Sequence, residues 1–263
     1  NEIKDKKNID DENFQLAGRI ISIRSMGNVT FANINDFTGE QQIFFKKNNL
    51  PENQYNNLVK LLDIGDIIGI KGNLFFTKTG ELTINSNDTK LLSKNIRPLP
   101  NLKEKDGIAF NAFDNKELRY RYRHLDFIAN PENKKIFIKR SMIINEIRLF
   151  LNKLDFIEVE TPILQNLYGG ANAKPFKTYH NSLDRNLYLR IATELYLKRL
   201  LIGGFNKIYE IGKNFRNEGI DHSHNPEFTA IEIYEAYKDL GYMMVLVEKL
   251  FKYLIKKINQ KEF

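Results

Sequence analysis

The sequence predicts two domains of different class, an all-β barrel followed by an α+β domain in which helices flank an antiparallel sheet. Short β-runs broken by turn residues fill the first third of the chain. A proline-containing stretch with few periodic apolar positions comes next and predicts a linker. A long amphipathic helix, two β-runs around a polar loop and a final helix then follow. We expect the domains at 1–95 and 116–263, with the linker at 96–115.

The first domain is predicted from five β-runs and the position of one helix. Glycine-containing turns separate the early runs, as at Gly27, Gly39 and Gly80. A helical stretch at 51–62 falls between the third and fourth runs. Five strands with a helix in that position are the layout of an OB-fold barrel. The predicted runs are 15–24, 28–36, 41–45, 67–76 and 81–85.

The second domain is predicted mainly from helical periodicity. Phe137, Ile144 and Leu151 lie on one apolar stripe of a long helix. A strand follows it and is stopped by Pro162. A basic amphipathic helix closes the chain, and packing on a sheet explains it better than membrane association. The predicted elements are helices at 117–128, 132–154, 193–201 and 242–258, and strands at 156–160, 207–218 and 227–237.

The composition is that of an ordinary globular protein, with a moderate excess of positive charge. Charged residues make up 28% of the 263 residues and hydrophobic residues 42%. The net charge of +7 favours polyanionic partners, although Lys-rich coding bias explains it equally well. No apolar run reaches the roughly 18 residues of a membrane span. The absence of Cys excludes disulfides and thiolate metal sites, and we expect the cytoplasm.

The two β-runs around the polar loop are predicted to form a hairpin with one chemically unusual face. Alternation places Glu210, Gly212 and Arg216 on the same face as Glu232 and Tyr234. A solvated outer face is the simpler explanation of such charges. However, the small and aromatic residues among them are atypical of a face in water and indicate a concave site.

Several segments resemble the class II aminoacyl-tRNA synthetases. Residues 215–219 (FRNEG) and 224–228 (HNPEF) resemble motif 2 of that family, and residues 156–162 (FIEVETP) resemble motif 1, the dimer-interface segment. Residues 169–176 (GGANAKPF), 178–181 (TYHN) and 189–199 (LRIATELYLKR) are similar to the lysyl branch. The resemblance extends from about residue 14 to residue 244. It implies a lysine–tRNA ligase with ATP, L-lysine and tRNA(Lys) as partners, and a homodimer formed through motif 1.

The resemblance also implies roles for individual residues at an ATP site and a lysine site. Arg216 would be the catalytic residue and would contact the α-phosphate of ATP and the lysine carboxylate, for which a rigid guanidinium is suited. Gly at position 170 permits close approach of the backbone to the amino acid. The implied ATP-binding residues are Arg216, Asn217, Glu218, His224, Asn225 and Phe228. The implied lysine-binding residues are Gly170, Glu194, Arg216, Glu232 and Tyr234.

The chemistry of Glu232 and Tyr234 supports lysine independently of the resemblance. A carboxylate and a phenol fit a cationic side chain and would repel the carboxylate of aspartate. A charge-assisted hydrogen bond to such a cation is worth about 1.5–3 kcal/mol. Leaving a buried carboxylate beside a neutral side chain costs more, which provides discrimination.

The barrel is expected to bind the tRNA anticodon. Phe31 matches the aromatic position on which the family stacks a base, and Arg24, Gln42 and Glu81 match positions that hydrogen-bond anticodon bases. Without the resemblance, a place for Phe31 in the barrel core would be the preferred interpretation.

The chain ends before the third motif of the family, and we expect it to be an incomplete fragment that would not form adenylate alone. Mg²⁺ is expected with ATP, with protein ligands beyond residue 263 and none in this part. A metal site formed by the closely spaced imidazoles of His222 and His224, in the segment 221–224 (DHSH), is a minor alternative, because no third protein ligand is evident. Two other functions stay open: a non-catalytic RNA-binding module, and a sister ligase for asparagine or aspartate.

Overall fold

The computed structural model describes residues 13–100, 102–105, 108–111 and 113–259. The chain divides into two compact units, Asn1–Pro131 and Glu132–Phe263. Each unit has its own sheets and its own hydrophobic core. This division follows packing alone, and the domain limits at residues 95 and 115 remain a prediction.

The first unit contains a closed five-stranded barrel with strand order β1-β2-β3-β5-β4. The β3–β5 pair is parallel and the other pairs are antiparallel. A short helix, α1 (Gln54–Asn57), lies between β3 and β4 along the chain. The predicted OB-fold barrel is therefore confirmed. Its strands are β1 (Asn13–Met26), β2 (Val29–Asn35), β3 (Glu40–Lys46), β4 (Ile67–Phe76) and β5 (Leu82–Ser93).

The barrel core is filled by alternate residues of its strands. On β2, Thr30, Ala32 and Ile34 are buried, whereas Phe31 is only partly buried and faces outward. The helical stretch predicted at 51–62 is shorter than expected: α1 is followed by a 3₁₀ turn at Val59–Leu61. Tyr55 of α1 is nevertheless fully buried, and its hydroxyl lies 2.9 Å from that of Thr30. The helix therefore closes one end of the barrel core.

The segment predicted to be a linker contains regular structure. Strands β6 (Leu102–Lys105) and β7 (Ile108–Asn111) pair in an antiparallel register. The helix predicted at 117–128 is two helices, α2 (Lys116–Arg121) and α3 (Arg123–Ala129), because Tyr122 leaves the helical region. Sequence periodicity did not detect this break.

The second unit combines three helices with two three-stranded sheets. The sheets have strand orders β10-β11-β9 and β13-β12-β8. The helices are α4 (Asn133–Asn152), α5 (Glu194–Ile202) and α6 (Leu240–Asn259). The strands are β8 (Ile157–Glu158), β9 (Leu164–Gln165), β10 (Lys177–His180), β11 (Arg185–Leu189), β12 (Lys207–Phe215) and β13 (Glu227–Glu235). The short strands β9, β10 and β11 were not predicted.

The core of the second unit lies between the β12–β13 hairpin and two of the helices, and α5 also contacts both strands. Helices α4 and α6 pack on the apolar face of the hairpin, where Tyr209 is fully buried. The apolar alternation of the sequence predicted this face correctly. The core consists of Leu151, Phe156, Tyr209 and Leu246, with Ile147, Phe150, Ile211, Ile231, Ile233, Tyr242 and Met243 around them.

Among the described residues, no helix is both long and apolar enough to cross a membrane.

Candidate functional site

The β12–β13 hairpin forms in the register that puts the predicted polar residues on one face. Glu210 is the direct cross-strand partner of Glu232, and Ile208 is the partner of Tyr234. Cβ atoms of directly opposed residues in an antiparallel pair are about 4.5–5.5 Å apart. The face therefore brings two carboxylates close together, beside a phenol.

Glu232 and Tyr234 form what we call the acid cup. The Tyr234 hydroxyl donates to Glu232 Oε2 at 2.9 Å, and the backbone N–H of Thr193 donates to Glu232 Oε1 at 3.2 Å. Desolvation raises the pKa of Tyr234, and the hydrogen bond to Glu232 and the charges of Glu232 and Glu194 raise it further. The phenol thus stays neutral, and its oxygen retains lone pairs with which to accept. A fixed carboxylate beside a neutral phenol oxygen is suited to a cation.

Gly170 and Glu194 lie next to the acid cup. Gly170 has φ +85°, and a Cβ atom there would lie 3.0 Å from Cβ of Glu194 and 3.2 Å from Cβ of Ala192. Glycine is therefore required by both conformation and space. Glu194 is the first residue of α5 and forms an ion pair with Lys198, one turn along the helix. This ion pair is partly exposed, so a competing cation could replace Lys198 at little cost.

Arg216 lies at the end of β12 and contacts the same backbone segment as the acid cup. Its Nε donates to the carbonyl of Ile191 at 3.4 Å, and its guanidinium carbon lies 5.1 Å from the centre of the Phe228 ring. Thr193, two residues after Ile191, donates to Glu232. One short segment thus connects the guanidinium to the acid cup.

The loop after Arg216 holds the remaining residues predicted to bind ATP. The N–H of Asn217 donates to the carbonyl of Lys174 at 2.7 Å, and the N–H of Lys174 donates to Glu218 at 3.4 Å. His224 and Asn225 are exposed. The structure therefore anchors the start of the loop to residue 174 and leaves its tip in solvent.

Asp221 organises the tip of this loop. Its Oδ1 accepts from the N–H groups of Ser223 and His224, both at 2.7 Å, and its Oδ2 lies 2.7 Å from Nδ1 of His224. The hydrogen bond from the backbone N–H of Ser223, followed by those from the side chain and the backbone N–H of His224, lowers the pKa of Asp221. No group of three or more His, Cys, Asp or Glu side chains placed to hold a metal occurs in the part of the chain that the structure describes.

A buried ion pair on the polar face was not predicted. Arg190 and Glu210 are 2% and 3% exposed and are joined side chain to side chain. The small size of Gly212 was interpreted as evidence of a concave site, but its cause is different. A Cβ atom at position 212 would lie 2.2 Å from Nη2 of Arg190, so the guanidinium occupies that space. A single Arg within the apolar run 187–192 was the available signal, since charges in such runs are usually paired.

The outer face of the barrel gathers the four residues predicted to bind bases. Phe31 packs against Phe44 at 4.8 Å between ring centres, and Phe44 packs against Phe75 at 5.8 Å. A cavity of about 690 Å³ adjoins Phe31, and Arg24, Gln42 and Glu81 also line it. Phe31 thus lies outside the barrel core, in which the residue pattern without the resemblance would have placed it.

Gln42 is held in one orientation within this cavity. Its Nε2 donates to Glu81 at 2.8 Å, and its Oε1 accepts from Thr83 at 2.7 Å. A fixed amide beside a partly exposed aromatic ring is a surface on which a base can stack and be recognised by hydrogen bonds.

Two family matches cover most of the chain. Residues 115–263 match the family described as tRNA synthetases class II (D, K and N). Residues 14–92 match the OB-fold nucleic acid binding domain.

Proteins named lysine–tRNA ligase are similar to the chain over most of its length. The protein of Azobacteroides pseudotrichonymphae is 50% identical over 91% of this chain and 49% of its own length. That of Christiangramia forsetii is 49% identical over 97% of this chain and 46% of its own length. That of Aquifex aeolicus is 51% identical over 94% of this chain and 41% of its own length. The chain spans about half the length of the curated relatives that it matches.

Proposed function

Because the chain belongs to the class II tRNA synthetases of the D, K and N group, we propose that its protein is a lysine–tRNA ligase, which joins L-lysine to tRNA(Lys) using ATP. The observation that carries the proposal is the acid cup of Glu232 and Tyr234. Arg216 contacts the carbonyl of Ile191, two residues before Thr193, whose N–H donates to Glu232. The similarity to proteins named lysine–tRNA ligase supports the same choice of amino acid.

The acid cup selects lysine by charge. The ε-ammonium of lysine carries three donors, and the carboxylate of Glu232 and the phenol oxygen of Tyr234 can accept from it. One charge-assisted hydrogen bond contributes about 1.5–3 kcal/mol. The carboxylate of aspartate would be repelled, and the amide of asparagine would leave the charge of Glu232 uncompensated. Lysine is therefore the side chain among D, K and N that fits.

The remaining residues of the site bind the common parts of the substrates. Glu194 would hold the α-ammonium of lysine, and the backbone at Gly170 would close over the amino acid. Glu218 would accept from the adenine amino group, and Phe228 would stack on the adenine ring. Asn217, His224 and Asn225, on the loop, would contact the phosphates.

Arg216 would be the catalytic residue. The lysine carboxylate attacks the α-phosphorus of ATP, which forms lysyl-adenylate and releases pyrophosphate. A guanidinium beside both groups stabilises the negative charge that accumulates at the α-phosphate. The 3′-terminal hydroxyl of the tRNA then attacks the lysyl carbonyl, which forms the lysyl ester and releases AMP. Positioning and electrostatics supply the catalysis, and no protein nucleophile is needed.

Mg²⁺ would enter as part of the MgATP substrate. Among the described residues, no group of three or more His, Cys, Asp or Glu side chains is placed to hold the ion. The cytoplasm is the expected location, and a homodimer formed through residues 156–162 is the expected assembly.

The barrel would recognise the anticodon. Phe31 would stack on one base, which contributes about 1–3 kcal/mol. Arg24, Gln42 and Glu81 would make hydrogen bonds to base edges around the same cavity. This division of labour separates recognition of the tRNA from activation of the amino acid.

A thermal-shift experiment on the whole protein that the gene encodes tests the proposal. The protein is heated with lysine, asparagine or aspartate, each with MgATP, and the expected result is stabilisation by lysine alone. Stabilisation by asparagine or aspartate would identify a sister ligase. Stabilisation by tRNA but by no amino acid would identify a non-catalytic RNA-binding module.

A further inference from the structure

Arg190 is buried on the polar face of the hairpin, with its guanidinium against Gly212, and has several polar partners. Its Nε donates to the carbonyl of Lys213 at 2.8 Å, and its Nη1 donates to the carbonyl of Thr161 at 3.1 Å. Its Nη1 also pairs with the carboxylate of Glu210. The guanidinium therefore joins residue 161 to strand β12.

Glu210 is held on both sides. Thr161 Oγ1 donates to Glu210 Oε2 at 2.7 Å, and the N–H of Thr161 donates to Glu210 Oε1 at 3.3 Å. Arg190 supplies the compensating charge. Both oxygens of Glu210 thus have partners within the protein, and the residue is 3% exposed.

Glu232, directly opposite Glu210, has a different environment. Its carboxylate is partly buried, and the partners that the structure gives it, the N–H of Thr193 and the hydroxyl of Tyr234, are both neutral. Like charges directly opposite each other in a sheet repel. The two carboxylates can occupy adjacent positions because Arg190 compensates the charge of Glu210. The charge of Glu232 then remains for a cation to compensate.

The backbone of Arg190 is fixed as firmly as its side chain. Its N–H donates to the carbonyl of Ile163 at 2.9 Å, and its carbonyl accepts from the N–H of Phe215 at 2.9 Å. The residues that follow are Ile191, which contacts Arg216, and Thr193, which contacts Glu232.

We propose that Arg190 is a positioning residue of the lysine site, which neutralises Glu210 so that Glu232, rather than Glu210, meets the substrate cation. This inference rests on the proposed function. Removal of one partner of a buried ion pair leaves an uncompensated charge, whereas removal of both partners is often tolerated. A change at Arg190 should therefore be rescued by a change at Glu210.

The test is the lysine dissociation constant of the whole encoded protein, measured by calorimetry for four proteins. In Arg190→Met, an uncompensated Glu210 repels Glu232 from the N–H of Thr193, and the Kd for lysine should rise at least about tenfold. In the double variant Arg190→Met with Glu210→Gln, the Kd should return to within about threefold of the wild type.

Arg148→Met is the matched control. Arg148 pairs with Glu158 in the same unit, at 2.8 Å, but is 42% exposed. Loss of an exposed ion pair should change the Kd for lysine by less than about twofold.

Rescue separates the proposal from a purely structural role. The bonds from Arg190 to the carbonyls of Thr161 and Lys213 are lost in the single and in the double variant. If those bonds are what matters, the double variant will bind lysine as poorly as Arg190→Met, and the proposal is wrong. Should Arg190→Met not fold, a more than tenfold loss of lysine affinity in a folded double variant contradicts it equally.

A second readout is independent of lysine binding. The amide resonance of Thr193 reports its hydrogen bond to Glu232, and it should shift in Arg190→Met and return in the double variant. If the wild type does not bind lysine, the proposed function fails, and this resonance still decides the role of Arg190. An unchanged resonance in a folded Arg190→Met variant would refute that role.

Discussion

Replacing Glu232 by Gln removes the charge of the acid cup and little else. The amide oxygen of Gln can still accept from the N–H of Thr193, which lies 3.2 Å from Oε1. The amide nitrogen can donate to the hydroxyl oxygen of Tyr234, 2.9 Å from Oε2, once that hydroxyl turns its proton away. We therefore expect the variant to fold with the wild-type hairpin and to lose the attraction for a cation.

The size of the loss follows from the environment of Glu232. One charge-assisted hydrogen bond contributes about 1.5–3 kcal/mol, which is about 10- to 150-fold in Kd. Glu232 is partly buried, so solvent screens part of the charge. We expect the lower half of that range, an increase of about twentyfold in the Kd for lysine.

Calorimetry with lysine and with norleucine, which lacks the ε-ammonium, makes the assay specific for charge. The wild type should prefer lysine strongly, and Glu232→Gln should lose most of that preference. Glu248→Gln is the control, because it makes the same change at an exposed residue of α6 paired with Lys252. An unchanged preference for lysine in a folded Glu232→Gln variant would refute the assignment of the acid cup.

Three further predictions concern the barrel, the glycine beside the cup and the core. Phe31→Ala should weaken tRNA binding at fixed salt by about tenfold and leave ATP–pyrophosphate exchange unchanged. Phe76→Ala, at a residue that is 55% exposed, should change neither activity. Equal loss of tRNA binding and of exchange in Phe31→Ala would contradict the division of labour. Gly170→Ala should raise the Kd for lysine, because the new Cβ meets Glu194 at 3.0 Å and the backbone is left-handed; an unchanged Kd would show that residue 170 lies away from the amino acid. Burial, then Glu158, raises the pKa of Tyr209 from 10.0 to about 12, so its contribution to stability is full below pH 10 and is lost as the pH rises to about 12. Urea unfolding should show that Tyr209→Phe lacks this part of the loss of stability at alkaline pH. Parallel pH profiles of the wild type and the variant would exclude the contribution of Tyr209.

Strand alternation predicted the polar face of the hairpin but did not decide the position of Phe31. Phe31 faces outward between the buried Thr30 and Ala32, as period-two alternation allows, although the barrel core was the preferred interpretation without the resemblance. The shared face of Glu232 and Tyr234 follows from the same rule. Because parity is a local property, one sequence is enough to read it.

The contacts that complete the site depend on tertiary structure and could not be predicted in this way. The N–H of Thr193 is a backbone donor, which no side-chain pattern reveals. The pairing of Arg190 with Glu210 joins residues twenty positions apart, and only the packing of residue 190 against β12 brings them together. The small size of Gly212 was interpreted in terms of substrate because its true neighbour, Arg190, was not yet known.

The segment from Ile191 to Thr193 has a thermodynamic consequence. Its carbonyl at one end meets Arg216, which would contact the nucleotide, and its amide at the other end meets Glu232, which would contact the amino acid. A ligand that tightens either end restrains the other through two peptide units. ATP and lysine should therefore bind cooperatively, with one coupling free energy, so that each increases the affinity of the protein for the other by the same factor.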